Sequence, residues 1–328
     1  MKVLVTGGFG NIGKYVVEEL INRKLSVRIL DLKTKKNLKL SKRLKGIEIY
    51  WGDITNRSDV INALKDINVV VHLAFIIPKI SSTNFDINKQ PKLAEKINIY
   101  GTKNLIECMK EVKSTDKIIF TSSVHVYGIT QHLPPPRKVD DELNPNDLYS
   151  YHKLLCEKML KESNLKYIIM RLGASITLDL KIVNFIRDLF EIPLDNRIEY
   201  VHPKDIAVAI ANAIERDDLW YKTFNIGGGK SCQYLYKDFV SKILDAIGIG
   251  MFEETLFCKE YFAVDFLDTE ESEKLLNYQK RNLNDYINDL KKALSYRKYL
   301  IKIFKPIIRY YIISKSPNYI SKFIFKNS

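Results

Sequence analysis

Met1-Lys2-Val3-Leu4-Val5-Thr6-Gly7-Gly8-Phe9-Gly10-Asn11-Ile12-Gly13 is the stretch that decides how this chain is read. Val3, Leu4 and Val5 have the character of a buried strand, and Lys14–Leu20 continue as a helix. The turn between them satisfies both Gly-x-Gly-x-x-Gly (Gly8, Gly10, Gly13) and Gly-x-x-Gly-x-x-Gly (Gly7, Gly10, Gly13). A glycine-rich turn from strand to helix is a phosphate site. Backbone N–H groups and the helix dipole attract the anion, and missing side chains let a pyrophosphate approach. The pattern alone is common; a strand before it and a helix after it give it weight.

A dinucleotide site also wants an acidic residue about 20 residues on, at the end of the second strand, to hold the adenosine ribose. Ser26–Leu30 is strand-like and Asp31 ends it, so Asp31 reads as the ribose ligand and favours NAD over NADP. Lys33, Lys35 and Lys36 follow closely and are suited to a 2′-phosphate, so the NADP alternative stays open.

Strand-like runs then alternate with helical patterns. Ile47–Trp51, Val69–Leu73, Lys117–Thr121 and Tyr167–Arg171 are strands, with helices near Arg57–Leu64, Pro91–Val112 and Tyr149–Glu162. Phe224–Gly229 reads as a seventh strand ending in a turn, and His202–Glu215 as a helix packed on the sheet. The predicted class is α/β: a Rossmann-type doubly wound parallel sheet with a small C-terminal substrate lobe. The NAD-binding domain is expected over 1–174, completed by 197–229, with the lobe from 175–196 and 230–296 and a basic amphipathic tail over 297–328. At 328 residues and 46% hydrophobic the chain suffices for one such core. Chemistry in such a sheet sits just beyond the strands' carboxyl ends.

Two of those ends carry a catalytic pattern. Ser123 closes the fifth strand, and Tyr149 and Lys153, four apart at a helix start, share one face. Free tyrosine, with a pKa near 10, is a poor base at neutral pH. A lysine ammonium within about 4–6 Å lowers that value by about 1–3 units. Tyr149 would then take a proton from a substrate hydroxyl while hydride leaves the same carbon for the cofactor. Ser123 would hydrogen-bond the same oxygen, and Lys153 would also hold the nicotinamide ribose. A plain exposed helix pair is the alternative for Tyr149 and Lys153.

The chain resembles the extended short-chain dehydrogenase/reductases, specifically the NAD-dependent epimerase/dehydratase family. The resemblance rests on Thr6–Gly13, Asp31, Gly52-Asp53-Ile54, His72-Leu73-Ala74, Asn98–Thr102, Ser122–Gly128, Tyr149-x-x-x-Lys153, Tyr200–Ala207 and Phe224–Gly227, in the family's order over roughly residues 1–290. It implies that Phe9, Asn11 and Ile12 line the pyrophosphate turn, Asp53 and Ile54 contact adenine, Ala74 borders the cofactor, and Asn98 supports the active-site helix. His72 is expected to pack or make a backbone hydrogen bond. His125 is a substrate candidate by position, with solvated or structural roles as the alternative.

The chain departs from the pattern on the substrate side. Val124 and His125 stand where 4,6-dehydratases carry an acidic pair. Leu172-Gly173-Ala174 follows Arg171 where sugar-nucleotide epimerases place a diphosphate-binding asparagine, and the segment 175–197 is short. Arg187 and Arg197 remain candidates for an anionic substrate group. The resemblance implies an epimerase acting on a sugar or sugar nucleotide. A dehydrogenase or reductase of a smaller hydroxylated substrate is one alternative, and a non-catalytic nucleotide-binding protein another. A homodimer is expected.

The formal charge of +13 is largely local: residues 297–328 hold eight basic residues and no acidic one, leaving +5 elsewhere. No nucleic-acid partner is therefore expected. On a helical wheel Lys298, Lys302, Lys305 and Arg309 form a stripe opposite Leu300, Ile303, Phe304, Ile307, Ile308 and Tyr311, with Pro306 interrupting. That pattern suits peripheral contact with an anionic membrane or, equally, packing on the enzyme or another copy. Four scattered cysteines and five scattered histidines show no metal-ligand spacing, and no metal is expected. The thiols read as reduced and the protein as cytoplasmic, without a signal peptide or a spanning helix.

Overall fold

The computed structural model describes residues 1–78, 87–176, 178, 189–295 and 297–319. Seven strands form one sheet: β1 (Lys2–Thr6), β2 (Ser26–Asp31), β3 (Glu48–Trp51), β4 (Val69–His72), β5 (Lys117–Ser123), β6 (Lys166–Leu172) and β8 (Lys222–Ile226). Their order is β3-β2-β1-β4-β5-β6-β8, and every neighbouring pair is parallel. The strand order reverses at β1, which pairs with β2 on one side and β4 on the other. The crevice beyond β1 and β4 is where such sheets bind ligands.

The strands are apolar nearly throughout because both faces are covered. Val3 and Val5 point into a core shared with α1 (Gly13–Asn22) and α7 (Pro203–Ile214), where Val16, Leu20, Ile206 and Ile210 are buried. Leu4, one residue out of phase, joins the opposite core with Val60 of α3 (Arg57–Leu64), Leu105 of α5 (Gly101–Val112) and Leu160 of α6 (Leu148–Lys161). The period of two along β1 thus places one strand in two cores.

The helix expected over Pro91–Val112 contains a π-helical turn. It runs as α4 (Pro91–Glu95), the turn Lys96–Tyr100, then α5. The widened turn coincides with an inward-facing Asn98, whose amide exchanges two hydrogen bonds with the Ile76 backbone at 2.7 and 2.9 Å.

The smaller lobe is built on an antiparallel pair, β7 (Arg197–Glu199) with β9 (Gln233–Leu235), together with α8 (Tyr236–Ala246) and α10 (Leu283–Leu294). Phe190, Tyr200, Phe239, Phe257 and Tyr286 fill its core. One part of the span 230–296 packs elsewhere: α9 (Glu270–Leu276) brings Leu276 and Tyr278, both fully buried, into the core of the large sheet. The Tyr278 hydroxyl accepts from Gly227 N–H at 3.2 Å, which fastens this segment to the end of β8.

The tail forms α11 (Arg297–Ile303) and α12 (Lys305–Ile313), with Pro306 in the first turn of α12. Ile301 and Ile312 are buried in the lobe core, so the tail docks on the small lobe by one side. Arg309, expected in an exposed basic stripe, instead donates to the carbonyls of Ile249, Gly250 and Met251 at 2.9, 3.0 and 3.0 Å.

Candidate active site

Gly7, Gly10, Asp31, Asp53, Ile54 and Ala74 line one cavity beyond the ends of β1 and β4, with Phe9 beside them. Gly7 has φ +69°, and a Cβ there would lie 2.8 Å from the Ala74 nitrogen. A Cβ on Gly13 would lie 2.3 Å from the Gly7 carbonyl oxygen. Both glycines are therefore needed to pack strand, turn and helix together. Helix α1 carries no side-chain N-cap, and its Lys14 and Tyr15 N–H groups donate to the Gly10 and Ile12 carbonyls at 3.4 and 3.0 Å, with the positive end of its dipole facing the turn. Asn11, Ile12 and Gly13 form that helix start and do not line the cavity itself.

Asp31 is held at the cavity edge. Its carboxylate accepts from Phe9 N–H at 3.0 Å, Leu32 N–H at 2.8 Å and the Asn37 side-chain amide at 3.2 Å. Burial pushes its carboxyl above the ordinary range, and these donors oppose that shift. Lys33 and Lys35 stay exposed. Asn37 went unrecognised in the sequence; its cue is Thr34, which caps the short helix α2 (Lys35–Ser41) and accepts from Asn37 N–H at 3.1 Å. Asp53 is fixed by its own turn, its Oδ1 accepting from Thr55 N–H at 2.8 Å. These features fit a dinucleotide: a side-chain-free turn for a pyrophosphate and a carboxylate for a ribose.

His72 is structural. Thr6 Oγ1 accepts from the Leu73 and Ala74 amides at 3.2 Å, so its hydroxyl proton goes to His72 Nδ1 at 2.7 Å. His72 Nε2–H then donates to Thr102 Oγ1 at 2.9 Å. Burial, aided by the Lys153 charge, pushes the imidazole down to about 3, so it stays neutral. Asn98 stands behind the cavity wall, holding Ile76, which does line it.

Ser123, Tyr149 and Lys153 converge next to this cavity. Ser123 is buried at the end of β5, its Oγ accepting from His125 N–H at 3.3 Å, close enough to Tyr149 to lower its phenol. Tyr149 sits in the first turn of α6, which Asp147 caps by accepting from Ser150 N–H at 2.6 Å. Lys153, one turn on, is fully buried; its Nζ donates to the Thr121 carbonyl at 2.7 Å. Phe75 joins the two halves. It lines the cavity, lies 3.6 Å from Lys153 Nζ by its ring centroid, and meets the Tyr149 ring edge-on at 6.0 Å.

The electrostatics differ from the expected lysine-activated tyrosine. Burial pushes the Tyr149 phenol up to about 12, with Ser123 opposing and Asp147 adding to the rise. Burial likewise pushes Lys153 down to about 7. The lysine nitrogen is 5.8 Å from the Tyr149 ring centroid and turned toward Thr121 and the aromatic rings. In the protein alone, desolvation outweighs charge–charge attraction, and Tyr149 keeps its proton.

The substrate side is closed by His125 and Phe262. The His125 ring stands edge-on to Tyr149 at 5.6 Å and to Phe262 at 5.2 Å, with Nδ1 3.5 Å from Asp147 Oδ2. Burial alone would raise Asp147; the neighbouring His125 ring and the bond from the Ser150 amide hold it down at about 2. Arg197 is committed within the protein: Nε and Nη2 grip Asp265 at 2.7 and 3.0 Å, and Thr130, Gln131 and Leu133 carbonyls take further bonds. Those bonds engage Nε and both terminal nitrogens of its guanidinium. Arg187 lies outside the described residues. Arg171 is also spent internally, bidentate on Glu157 at 3.1 and 2.8 Å, both fully buried.

The model of the NAD dependent epimerase/dehydratase family matches residues 3–177. A UDP-glucose 4-epimerase of Lactobacillus helveticus is 32% identical over 180 residues, covering 52% of this chain and 51% of that protein. The sterol-4-alpha-carboxylate 3-dehydrogenase, decarboxylating, of Homo sapiens is 32% identical over 167 residues, covering 49% of this chain and 39% of that protein. The match thus spans about half or less of the length of these curated relatives. Among solved structures, UDP-glucose-4-epimerase from Stenotrophomonas maltophila with bound NAD and formylated UDP-arabinopyranose superposes with a TM-score of 0.75 at 20% identity, over 92% of this chain and 99% of that one. At that identity the likeness is one of fold. The matched stretch runs from β1 past the end of β6 and takes in the glycine turn, Asp31 and the Ser123–Tyr149–Lys153 cluster, more than half of the chain, which therefore belongs to the NAD dependent epimerase/dehydratase family.

Proposed function

We propose that this protein binds NAD in the glycine cradle and catalyses reversible oxidation at a carbinol carbon of a sugar or sugar nucleotide, with epimerisation as the outcome. The observation that carries the reading is the junction at Phe75, which borders the cradle and touches both Tyr149 and Lys153. When bound, NAD supplies a hydride acceptor and donor and, oxidised, a cationic ring. As the phenolate, which the cationic oxidised cofactor would favour, Tyr149 Oη takes the proton of the substrate hydroxyl and later returns it. Ser123 Oγ holds the same oxygen, positioned by the end of β5. The burial that raises Tyr149 also makes its phenolate sensitive to any nearby positive charge. Lys153, lowered to about 7 by burial, is able to give up or take a proton near neutral pH. The family membership and the sugar-nucleotide epimerase among the relatives support this reading.

A second reading, net dehydrogenation of a smaller hydroxylated substrate, is favoured by one observation. Arg171 and Arg197, the arginines flanking the substrate side, are both spent on internal carboxylates. Incubation of the purified protein with UDP-glucose and with small sugar acids separates the two. Inverted product without net nicotinamide reduction supports epimerisation; stoichiometric NADH supports dehydrogenation. Failure to retain or bind NAD overturns both.

A further inference from the structure

The segment after Arg297 is fastened to the small lobe by one face and leaves another uncovered. Ile301 and Ile312 are buried, Ile308 and Ile313 pack against the lobe core, and the Arg309 guanidinium lies 4.4 Å from the Phe252 ring centroid. Ser316 Oγ donates to the Leu256 carbonyl at 2.6 Å. This anchoring fixes which side turns outward. Leu300, Ile303, Phe304, Ile307, Tyr310 and Tyr311 are between 46% and 69% exposed. Their spacing is that of one helical face, and the bonds Phe304 N–H to Leu300 (2.9 Å) and Ile308 N–H to Phe304 (2.9 Å) carry that face past Pro306. Contiguous large apolar exposure of this kind marks an interaction surface.

The charge around the stripe has a single sign. Lys302 and Lys315 are exposed and Lys305 is half-buried, and no acidic residue occurs from Arg297 to Ser328. No helix among the described residues is long and apolar enough to cross a membrane. We propose that this face rests on an anionic lipid bilayer, its apolar side chains in the headgroup boundary, with Lys315 beside the Tyr311 ring on lipid phosphates and the other basic residues of the tail drawn to the anionic surface. Charge complementarity selects that occupant. A second copy seated on this face would bring together two tails of the same positive charge.

The test uses the full chain and vesicles of phosphatidylcholine containing phosphatidylglycerol, with pure phosphatidylcholine as contrast. Co-sedimentation is expected with the anionic vesicles only, weakening with salt. Ile303→Ser with Ile307→Ser should weaken binding about tenfold, and Lys302→Gln or Lys305→Gln about fivefold each. Ile303, Ile307 and Lys302 are exposed and Lys305 is half-buried beside Gly250, so the thermal melt of each variant checks folding. Absence of binding to anionic vesicles, or binding indifferent to both pairs of substitutions, overturns the proposal. So does a concentration-dependent dimer, seen by light scattering, that the isoleucine pair abolishes while vesicle binding persists unchanged.

Discussion

Replacing Gly13 by alanine should damage the fold and the cofactor site together, while Gly10→Ala should damage the site alone. The added Cβ of Gly13→Ala meets the Gly7 oxygen at 2.3 Å and the Gly8 Cα and carbonyl carbon at 2.8 and 2.9 Å, all backbone atoms. Ordinary contact begins at 3.4 Å, so turn and helix must part by about 1 Å. Overpacking of this kind costs about 1–3 kcal/mol. At about 2–4 °C per kcal/mol, the melting temperature should fall by several degrees. The same movement displaces the first N–H groups of α1. Losing one charge-assisted hydrogen bond of about 1.5–3 kcal/mol weakens a dinucleotide about ten- to a hundredfold. For Gly10→Ala the sole near atom is the Gly7 oxygen at 3.0 Å, and Gly10 lines the cavity. Its melt should stay close to wild type while NAD binding falls at least as far. Thermal denaturation and calorimetric titration with NAD measure both effects. A Gly13→Ala protein with unchanged melt and affinity would show that the turn is not packed as described. Unchanged affinity in Gly10→Ala would show that no pyrophosphate passes over this turn.

Three further outcomes are expected. Tyr149→Phe should abolish turnover yet leave NAD bound, and Ser123→Ala should lower kcat by about 10²–10⁴; retained activity in Tyr149→Phe excludes Tyr149 as the acid/base. Between about 7 and the ordinary lysine pKa near 10.5, the unfolded chain holds a proton that folded Lys153 lacks, so stability rises with pH across that window and the penalty is complete below it. Tyr149 acts in reverse from about 10 to about 12, where the folded chain keeps the proton and stability falls. Lys153→Met should flatten the lower window in pH-dependent melts, and an identical profile in wild type and variant refutes the assignment. Glu157→Met strands the Arg171 guanidinium, buried at a side-chain exposure of 2%, and should cost about 3–5 kcal/mol in urea denaturation. Adding Arg171→Met should recover part of that cost; a double variant no more stable than the single one rejects the pairing.

The large sheet was readable because its signals are local. Val3–Val5 before the glycines and Ser26–Leu30 before Asp31 are buried on both sides, and such strands show as apolar runs. Ser123, Tyr149 and Lys153 stand at element ends whose positions the alternation of strands and helices implies. The π-turn at Lys96–Tyr100 was not readable, since one widened turn leaves the helical pattern on either side intact. Phe75 looked like any core aromatic, and its contact with Lys153 joins residues 78 positions apart. Arg197 looked available because a free arginine and one clamped by Asp265 have the same local sequence.

Composition and order along the chain determined the glycine turn, the parallel sheet and the candidate acid/base tyrosine, because each rests on short-range spacing. Tertiary structure alone decided the protonation of that tyrosine. Spacing placed a lysine nearby, whereas burial sets the balance, pushing Tyr149 up to about 12 and Lys153 down to about 7. It likewise decided the fate of the tail, where Ile301, Arg309 and Ile312 turn inward and a stripe of six large apolar side chains turns outward. Hydrophobic spacing states that a helix has an apolar face. Only the packing of distant segments states which face is covered.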